Sequence, residues 1–346
     1  MEEPVRLIHT LIHKCRHTRR EAGIQSHGRQ AQYVPVVWIP AIPDRGRLCR
    51  NDRVVNKGMR LMSEFDYLNL GCGTRYHPAW TNVDFTPADT HVIAADVAKG
   101  IPFPDRSFDV VYHSHLLEHL PKPAARDFLK ECYRVLRPEG ILRIAVPDLE
   151  AIVHHYLLAL EQARTGSKEG ANNYDWILLE MYDQAVRDCS GGEMAAYLRN
   201  NALANEKFIV ARCGIEAKRL IEAARQEKIT DTLHTINPEK KSWLTKLFRL
   251  FYDARHRREI LLKLILKNTD YEALQLGRFR LGGEVHQWMY DRFSLGRLLM
   301  ECGFAGIVPR TATESYVSDW SRFNLDSNPD GNVHKPDSLF MEAVRP

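Results

Sequence analysis

Short apolar-rich runs at 67–70, 81–84, 91–95, 109–113 and 141–146 alternate with helix-patterned or polar stretches. Each is too brief for a helix and is bounded by Gly, Pro or Asp, which predicts buried strands. Between the fourth and fifth runs, Phe128, Leu129, Cys132, Val135 and Leu136 recur at helical spacing. Pro123 suits the first turn of that helix, and Pro138 and Gly140 stop it. The connection at 71–80 contains Pro78 and leaves room for a helix of a turn or two at most. Strand–helix alternation of this kind implies a parallel sheet covered on both faces.

The rhythm breaks over 150–280, where the pattern is helical, with turns at Gly191-Gly192 and Asn237-Pro238. A basic helix is expected from Ser242 to Lys267, with Leu244, Leu247, Phe248 and Phe251 as its apolar stripe. It reads as part of a lid packed on the sheet domain. The alternative is a helix lying on an anionic membrane surface, a contact that is not expected. After 290 the sheet pattern resumes: Ser294 is expected to cap a helix through Cys302, and strands follow near 304–309 and 338–344. The turn Lys335-Pro336-Asp337 precedes the last strand. The expected architecture is α/β, a doubly wound, mostly parallel sheet of about seven strands with a helical insert. The expected parts are an appendage over 1–65, a sheet domain over 66–149 and 282–346, and the insert over 150–281 between its halves.

Charge changes the picture only at the N-terminus. Residues 1–65 hold 12 Lys/Arg against 6 Asp/Glu, while the remainder holds 36 against 38. The body is therefore near neutral, and no nucleic-acid partner is expected. Seven cysteines without a Cys-x-x-Cys pair suit a reducing compartment. No run approaches the roughly 18 apolar residues of a membrane span. A cytoplasmic location is expected.

The chemistry concentrates between Tyr67 and Asp84. The first strand breaks into a turn carrying Gly71 and Gly73, where a flat cofactor can lie against the main chain. The second strand ends on Asp84, a carboxylate able to accept bonds from two adjacent sugar hydroxyls. A dinucleotide site wants a third glycine and an acid about 20 residues on. Here Arg75 takes the third position and Asp84 comes too early, so a nucleoside without phosphates fits better.

With these residues in view, the sheet domain resembles the class I S-adenosylmethionine-dependent methyltransferases, whose sheet is Rossmann-like. Leu68-Asn69-Leu70-Gly71-Cys72-Gly73 resembles the first motif, and Asn82-Val83-Asp84 the acidic end of the second strand. Ala95-Asp96-Val97 resembles the adenine-contacting loop. Phe103 to Val111, running into Ser114-His115-Leu116-Leu117-Glu118-His119-Leu120, resembles the fourth strand and its loop. Leu136-Arg137-Pro138-Glu139-Gly140 resembles the turn before the fifth. Two departures bear on the methionine end of the cofactor: Asn69 stands where the family's acid usually is, and Arg75 where its third glycine is. The resemblance implies S-adenosyl-L-methionine as cofactor, held by Asn69, Gly71, Cys72, Gly73, Asp84, Asp96, Val97 and Ser114. More distantly, Gly283 to Asp291 resembles a bacterial subgroup associated with glycan and cell-surface pathways.

That segment places Glu284, His286, Trp288, Tyr290 and Asp291 together, aromatic rings with carboxylates that suit a sugar or small polar ring. With the insert, they are expected to form the acceptor pocket. Histidine titrates near neutrality, so His115 and His286 are the candidate bases for deprotonating an acceptor hydroxyl. His115-x-x-Glu118-His119 also matches an inverted zinc-protease pattern. Pro121 ends any helix one turn later and no third ligand is obvious, so no metal is expected. The expected activity is in-line methyl transfer to a small polar or glycan-type acceptor. The competing readings are a nucleic-acid methyltransferase using the basic arm and a non-catalytic nucleoside-binding protein.

Overall fold

The computed structural model describes residues 65–200, 203–236 and 254–346, all within one compact unit, Met59–Pro346. The expected N-terminal appendage, apart from its last residue, lies outside the described residues. So do the Asn237-Pro238 turn and the part of the basic helix before Ala254.

Seven strands form one sheet: β1 Tyr67–Leu70, β2 Thr81–Asp84, β3 Val92–Ala94, β4 Phe108–Ser114, β5 Leu136–Pro147, β6 Ala305–Arg310 and β7 Ser338–Val344. Their order is β3-β2-β1-β4-β5-β7-β6. Pairs from β3 through β5 are parallel. Strand β7 runs antiparallel to both β5 and β6. Chain order reverses direction between β1 and β4, and the carboxyl ends of such a pair are where open α/β sheets bind ligands. Because β7 runs the other way, its first residue shares that edge: Ser338 pairs with Pro147, the last residue of β5.

One face of the sheet is covered by helix α1, Lys122–Val135, which buries Ala125, Phe128, Leu129, Cys132 and Val135. These pack on Leu68, Leu70, Val111, Leu142 and Ile144. On the other face, Tyr67, Val110 and Tyr112 meet Trp80, Val317, Trp320 and Phe323. That second cluster explains one departure from the sequence reading. The 71–80 connection carries turns and no helix. The space a helix would need is filled by Trp80, whose ring lies 4.9 Å from Tyr67, 5.8 Å from Trp320 and 5.3 Å from Phe323.

The described part of the insert comprises α2 Leu149–Arg164, α3 Lys168–Val186, α4 Gly192–Leu198, α5 Glu206–Ile236, α6 Ala254–Ile265 and α7 Asn268–Arg280. Its exit and return are clamped together. Asp148 caps α2 by accepting from the Glu150 and Ala151 amides, and the Leu149 amide donates to the Tyr290 carbonyl at 3.0 Å. Helix α5 bends at Gly214, where φ is 71° and ψ is −154°. A Cβ there would run into the His334 carbonyl and the Pro336 ring, so both backbone and packing require glycine. Helix α6 is the described part of the expected basic helix and leaves Leu261, Leu264 and Ile265 exposed.

The last helix, α8 Arg292–Glu301, is capped by Asp291 rather than Ser294. Asp291 accepts from the Phe293 and Ser294 amides at 2.9 and 2.8 Å, and Ser294 Oγ accepts from the Asp291 amide at 3.1 Å. This is a reciprocal capping box one turn earlier than the sequence suggested. Among the described residues, no helix is long and apolar enough to cross a membrane.

Candidate active site

Two adjoining cavities open at the carboxyl edge. The smaller, about 280 Å³, is lined by Asn69 and the Gly71–Arg75 loop after β1, by Tyr112, Ser114 and His115 at the end of β4, and by Glu216, Leu325, His334 and Lys335. The larger, about 380 Å³, lies between the edge and the insert, whose Trp176, Arg187, Leu198, Glu216, Ala217 and Leu220 form much of its wall. His115, Glu216 and Lys335 line both.

The glycine loop is fastened from below. Gly71 and Cys72 amides donate to the Val83 carbonyl at 2.8 and 3.2 Å. Asp84 accepts from the Gly73 amide at 2.8 Å and the Thr86 amide at 2.9 Å. Asn69, fully buried, donates to Asn82 Oδ1 at 3.1 Å and to the Arg75 carbonyl at 3.3 Å. An acid at position 69 could not make those donations, which gives the departure from the family pattern a local reason. Arg75 reaches across to the β6–β7 connection, donating to the Leu325 and Ser327 carbonyls at 2.8 and 2.5 Å. Burial pushes the Cys72 thiol up to about 11, with Asp84 adding to the effect.

The two glycines differ. Gly71 has φ +64°, and a Cβ there would collide with Leu116 Cδ1, whereas Gly73 faces open space. Only Gly73 leaves its missing side chain's space free for a ligand. At Gly71 that space belongs to Leu116.

Six of the residues expected to bind cofactor or act as base therefore line the smaller cavity: Asn69, Gly71, Cys72, Gly73, Ser114 and His115. Asp84, Asp96 and Val97 stand outside its lining, with Asp84 tied to it through Gly73. Asp96 caps the turn Val97–Lys99 by accepting from the Ala98 amide at 3.2 Å, and pairs with Lys99 at 3.0 Å.

His115 sits in the left-handed region, with φ 50°. One ring nitrogen, Nε2, is 2.8 Å from Ser338 Oγ, and Nδ1 is 3.2 Å from Glu118 Oε1. Burial opposes the charge on Glu118, but the surrounding rings of His115, His119 and His286 bring its carboxyl down to about 2. Burial likewise pushes His286 down to about 3.

The 284–291 segment does not reach either cavity. His286 packs its ring against His119, centroids 4.8 Å apart. Trp288 and Tyr290 border a separate cleft with Lys122 and Arg126. Asp291 is spent as the α8 cap. Glu284 acts at one remove. It accepts from Arg187 at 3.1 Å and from the Gly191 amide at 2.9 Å, and so steadies two residues that do line the larger cavity.

Sequence reasoning missed Glu216 and Lys335, an ion pair at 3.3 Å. Burial opposes the Glu216 charge, but Lys335 holds that carboxyl below its usual range. The available signal was topological. A final strand antiparallel to its neighbours must start at the ligand edge, which brings Lys335-Pro336-Asp337 there.

Residues 68–144 match the model of a methyltransferase domain. A Mycolicibacterium smegmatis protein named "Probable S-adenosylmethionine-dependent methyltransferase" is 34% identical over 100 residues, 24% of this chain and 38% of its own. The 2-methyl-6-phytyl-1,4-hydroquinone methyltransferase of Synechocystis is 44% identical over 63 residues, 18% of this chain and 19% of its own. An uncharacterized methyltransferase of Mycobacterium avium is 30% identical over 168 residues, 38% of this chain and 64% of its own. The chain thus spans between 19% and 64% of the length of these curated relatives. A solved methyltransferase from Thermotoga maritima aligns over 82% of this chain and 83% of its own, at 12% identity and a TM-score of 0.31. Residues 68–144 are thus similar to a methyltransferase domain, and the Mycolicibacterium relative's name gives S-adenosylmethionine as that protein's methyl donor.

Proposed function

We propose that this protein transfers the methyl group of S-adenosylmethionine to a small polar or glycan-type acceptor. The cofactor rests against the Gly71–Arg75 loop, and the acceptor enters the larger cavity under the insert. The observation that carries this reading is the shared border: His115, Glu216 and Lys335 line both cavities. A donor in one and an acceptor in the other therefore meet at one place, at the sheet's switch point. A sulfonium methyl group needs alignment and exclusion of water more than covalent help. Asp84 is the acceptor for ribose hydroxyls and Asp96 the partner of adenine. His115 is the base: an acceptor hydroxyl takes the position that Ser338 Oγ holds beside Nε2. His286, which lines neither cavity, is not assigned that step. Arg187, Glu216 and Lys335 supply polar contacts, and Leu198, Ala217 and Leu220 an apolar wall.

Calorimetry with S-adenosylmethionine and its demethylated product tests the cofactor half. Asp84→Asn removes a charged acceptor, so affinity should fall about ten- to a hundredfold, given roughly 1.5–3 kcal/mol for a hydrogen bond to a charged group. Unchanged affinity in a folded variant would refute the assignment. Leu220→Trp tests the acceptor half, since Leu220 lines the larger cavity and is otherwise exposed. In a screen of sugars and small polar compounds, turnover should drop at least about tenfold while cofactor affinity stays within about twofold, one decade being roughly 1.4 kcal/mol. Joint loss of both, or no loss of turnover, would place the acceptor elsewhere.

A further inference from the structure

We infer that Glu118, His119 and His286 form a binding site for a divalent transition-metal ion of the zinc class. Their ligand atoms all lie within 4.8 Å of one another. The sequence pattern His115-x-x-Glu118-His119 alone lacked a third ligand; the fold supplies His286 from the far end of the insert. The main chain holds the pieces in place. Gln287 and Trp288 amides donate to the Glu118 carbonyl at 2.7 and 3.2 Å, and the His286 amide donates to the Gln184 carbonyl at 2.9 Å.

Burial of the Glu118 carboxylate favours a cation at this place. Glu118 has 0% exposure, and its carboxylate oxygens lack a well-aligned hydrogen-bond donor, the nearest being His115 Nδ1 at 3.2 Å. A buried carboxylate is costly unless it is paired or coordinates a metal. Among the described residues, no Lys or Arg is ion-paired with Glu118; its charged-type contacts are the imidazoles of His115 and His119. A further neighbouring ring, His113, stacks edge-on against Phe128 at 5.1 Å and stays with the core. Two imidazoles and one carboxylate are a known zinc donor set, and three protein ligands leave a fourth position open. Mg²⁺ or Ca²⁺ would favour an all-oxygen shell instead. Metal–ligand bonds of about 2.0–2.2 Å require the cluster to close by about 1 Å, within reach of side-chain rotation. The fourth place falls to water. Such an ion would pin the turn after β4 to the segment that closes the insert. It does not depend on the methyl-transfer reading.

The full chain, stripped with chelator and reloaded with Zn²⁺ or Co²⁺, is the test. One equivalent of zinc per chain should survive gel filtration, Co²⁺ should give a visible ligand-field band, and the loaded protein should melt at higher temperature. The chain has other histidines, four of them at 9, 13, 17 and 27, so location needs a variant. His119→Asn/His286→Asn should weaken binding about a hundredfold or more, since even outer-sphere changes cost about 10–100-fold. Wild-type binding below about a tenth of an equivalent, or undiminished binding by that variant, would overturn the site. X-ray absorption on the zinc-loaded wild type needs no variant. Two imidazole shells are expected, and sulfur or purely oxygen coordination would refute the assignment.

Discussion

Arg143→Met should destabilise the fold by about 3–5 kcal/mol, the usual cost of removing one partner from a buried ion pair. Arg143 has no exposed surface and stands in β5 between two buried acids. It donates to Asp326 at 2.7 Å and Glu342 at 2.9 Å, and to the Glu314 and Thr311 carbonyls at 2.9 and 2.8 Å. Methionine fills much of the volume but leaves Asp326 in the interior without its cation, and leaves Glu342 with Arg310 alone, at 3.1 Å. Asp326 would keep Tyr112 at 2.6 Å and Trp320 at 3.0 Å, hydrogen bonds that do not offset a full charge. Arg143→Lys should recover only part of the loss, because one ammonium cannot reproduce the planar fork. Urea denaturation measures both variants. A midpoint for Arg143→Met within error of wild type would show that the network contributes nothing.

The second large effect belongs to the Gly71–Arg75 loop. Gly71→Ala places a side chain at φ +64° and against Leu116. A left-handed non-glycine residue costs about 1–3 kcal/mol, and overpacking about as much again. The loop hangs on Val83 through the Gly71 and Cys72 amides, so relief by moving the backbone displaces the surface proposed above to face the cofactor. Affinity for S-adenosylmethionine should fall at least about a hundredfold, or roughly 2.7 kcal/mol. Leu116→Ala alone should change affinity little. Combined with Gly71→Ala, it should restore part of the loss, since it removes the collision but not the backbone strain. A strictly additive cycle would mean the two positions do not touch.

Much of the sheet was legible because its signals are local. The short runs at 67–70, 81–84 and 338–344 coincide with β1, β2 and β7, each flanked by residues that end a strand. The meeting of Gly71, Cys72 and Gly73 with Ser114 and His115 was legible too, because adjacent parallel strands deliver their ends to one edge. What failed was long-range. Nothing in 71–80 announces that Trp80 will meet Trp320 and Phe323, 240 and more residues later, and take the place of a helix. The composition of 284–291 suggested a sugar site, yet period and charge cannot tell which way a short irregular segment faces. Two of its members went to the cap and the core: Asp291 to α8, and Tyr290 to the apolar cluster. Arg75 stood out as a bulky misfit, while its actual work, holding Leu325 and Ser327, depends on a partner 250 residues away.

The bend at Gly214 divides one long helix into two kinds of position. Before it, Arg212 pairs with buried Glu180 at 2.6 Å and holds the insert together. After it, Ala217, Leu220, Ala223 and Ala224 recur on the face that walls the larger cavity. Three of these four are alanine, and none lines the smaller cavity beside the glycine loop. With the acceptor in the larger cavity, as proposed above, enlarging or shrinking them would redraw its space one residue at a time and leave the proposed methyl-donor cavity unchanged. A chain built this way can drift toward new acceptors by single substitutions without passing through a form that has lost its donor. The helix after Gly214 is where divergence in acceptor choice among related chains should accumulate.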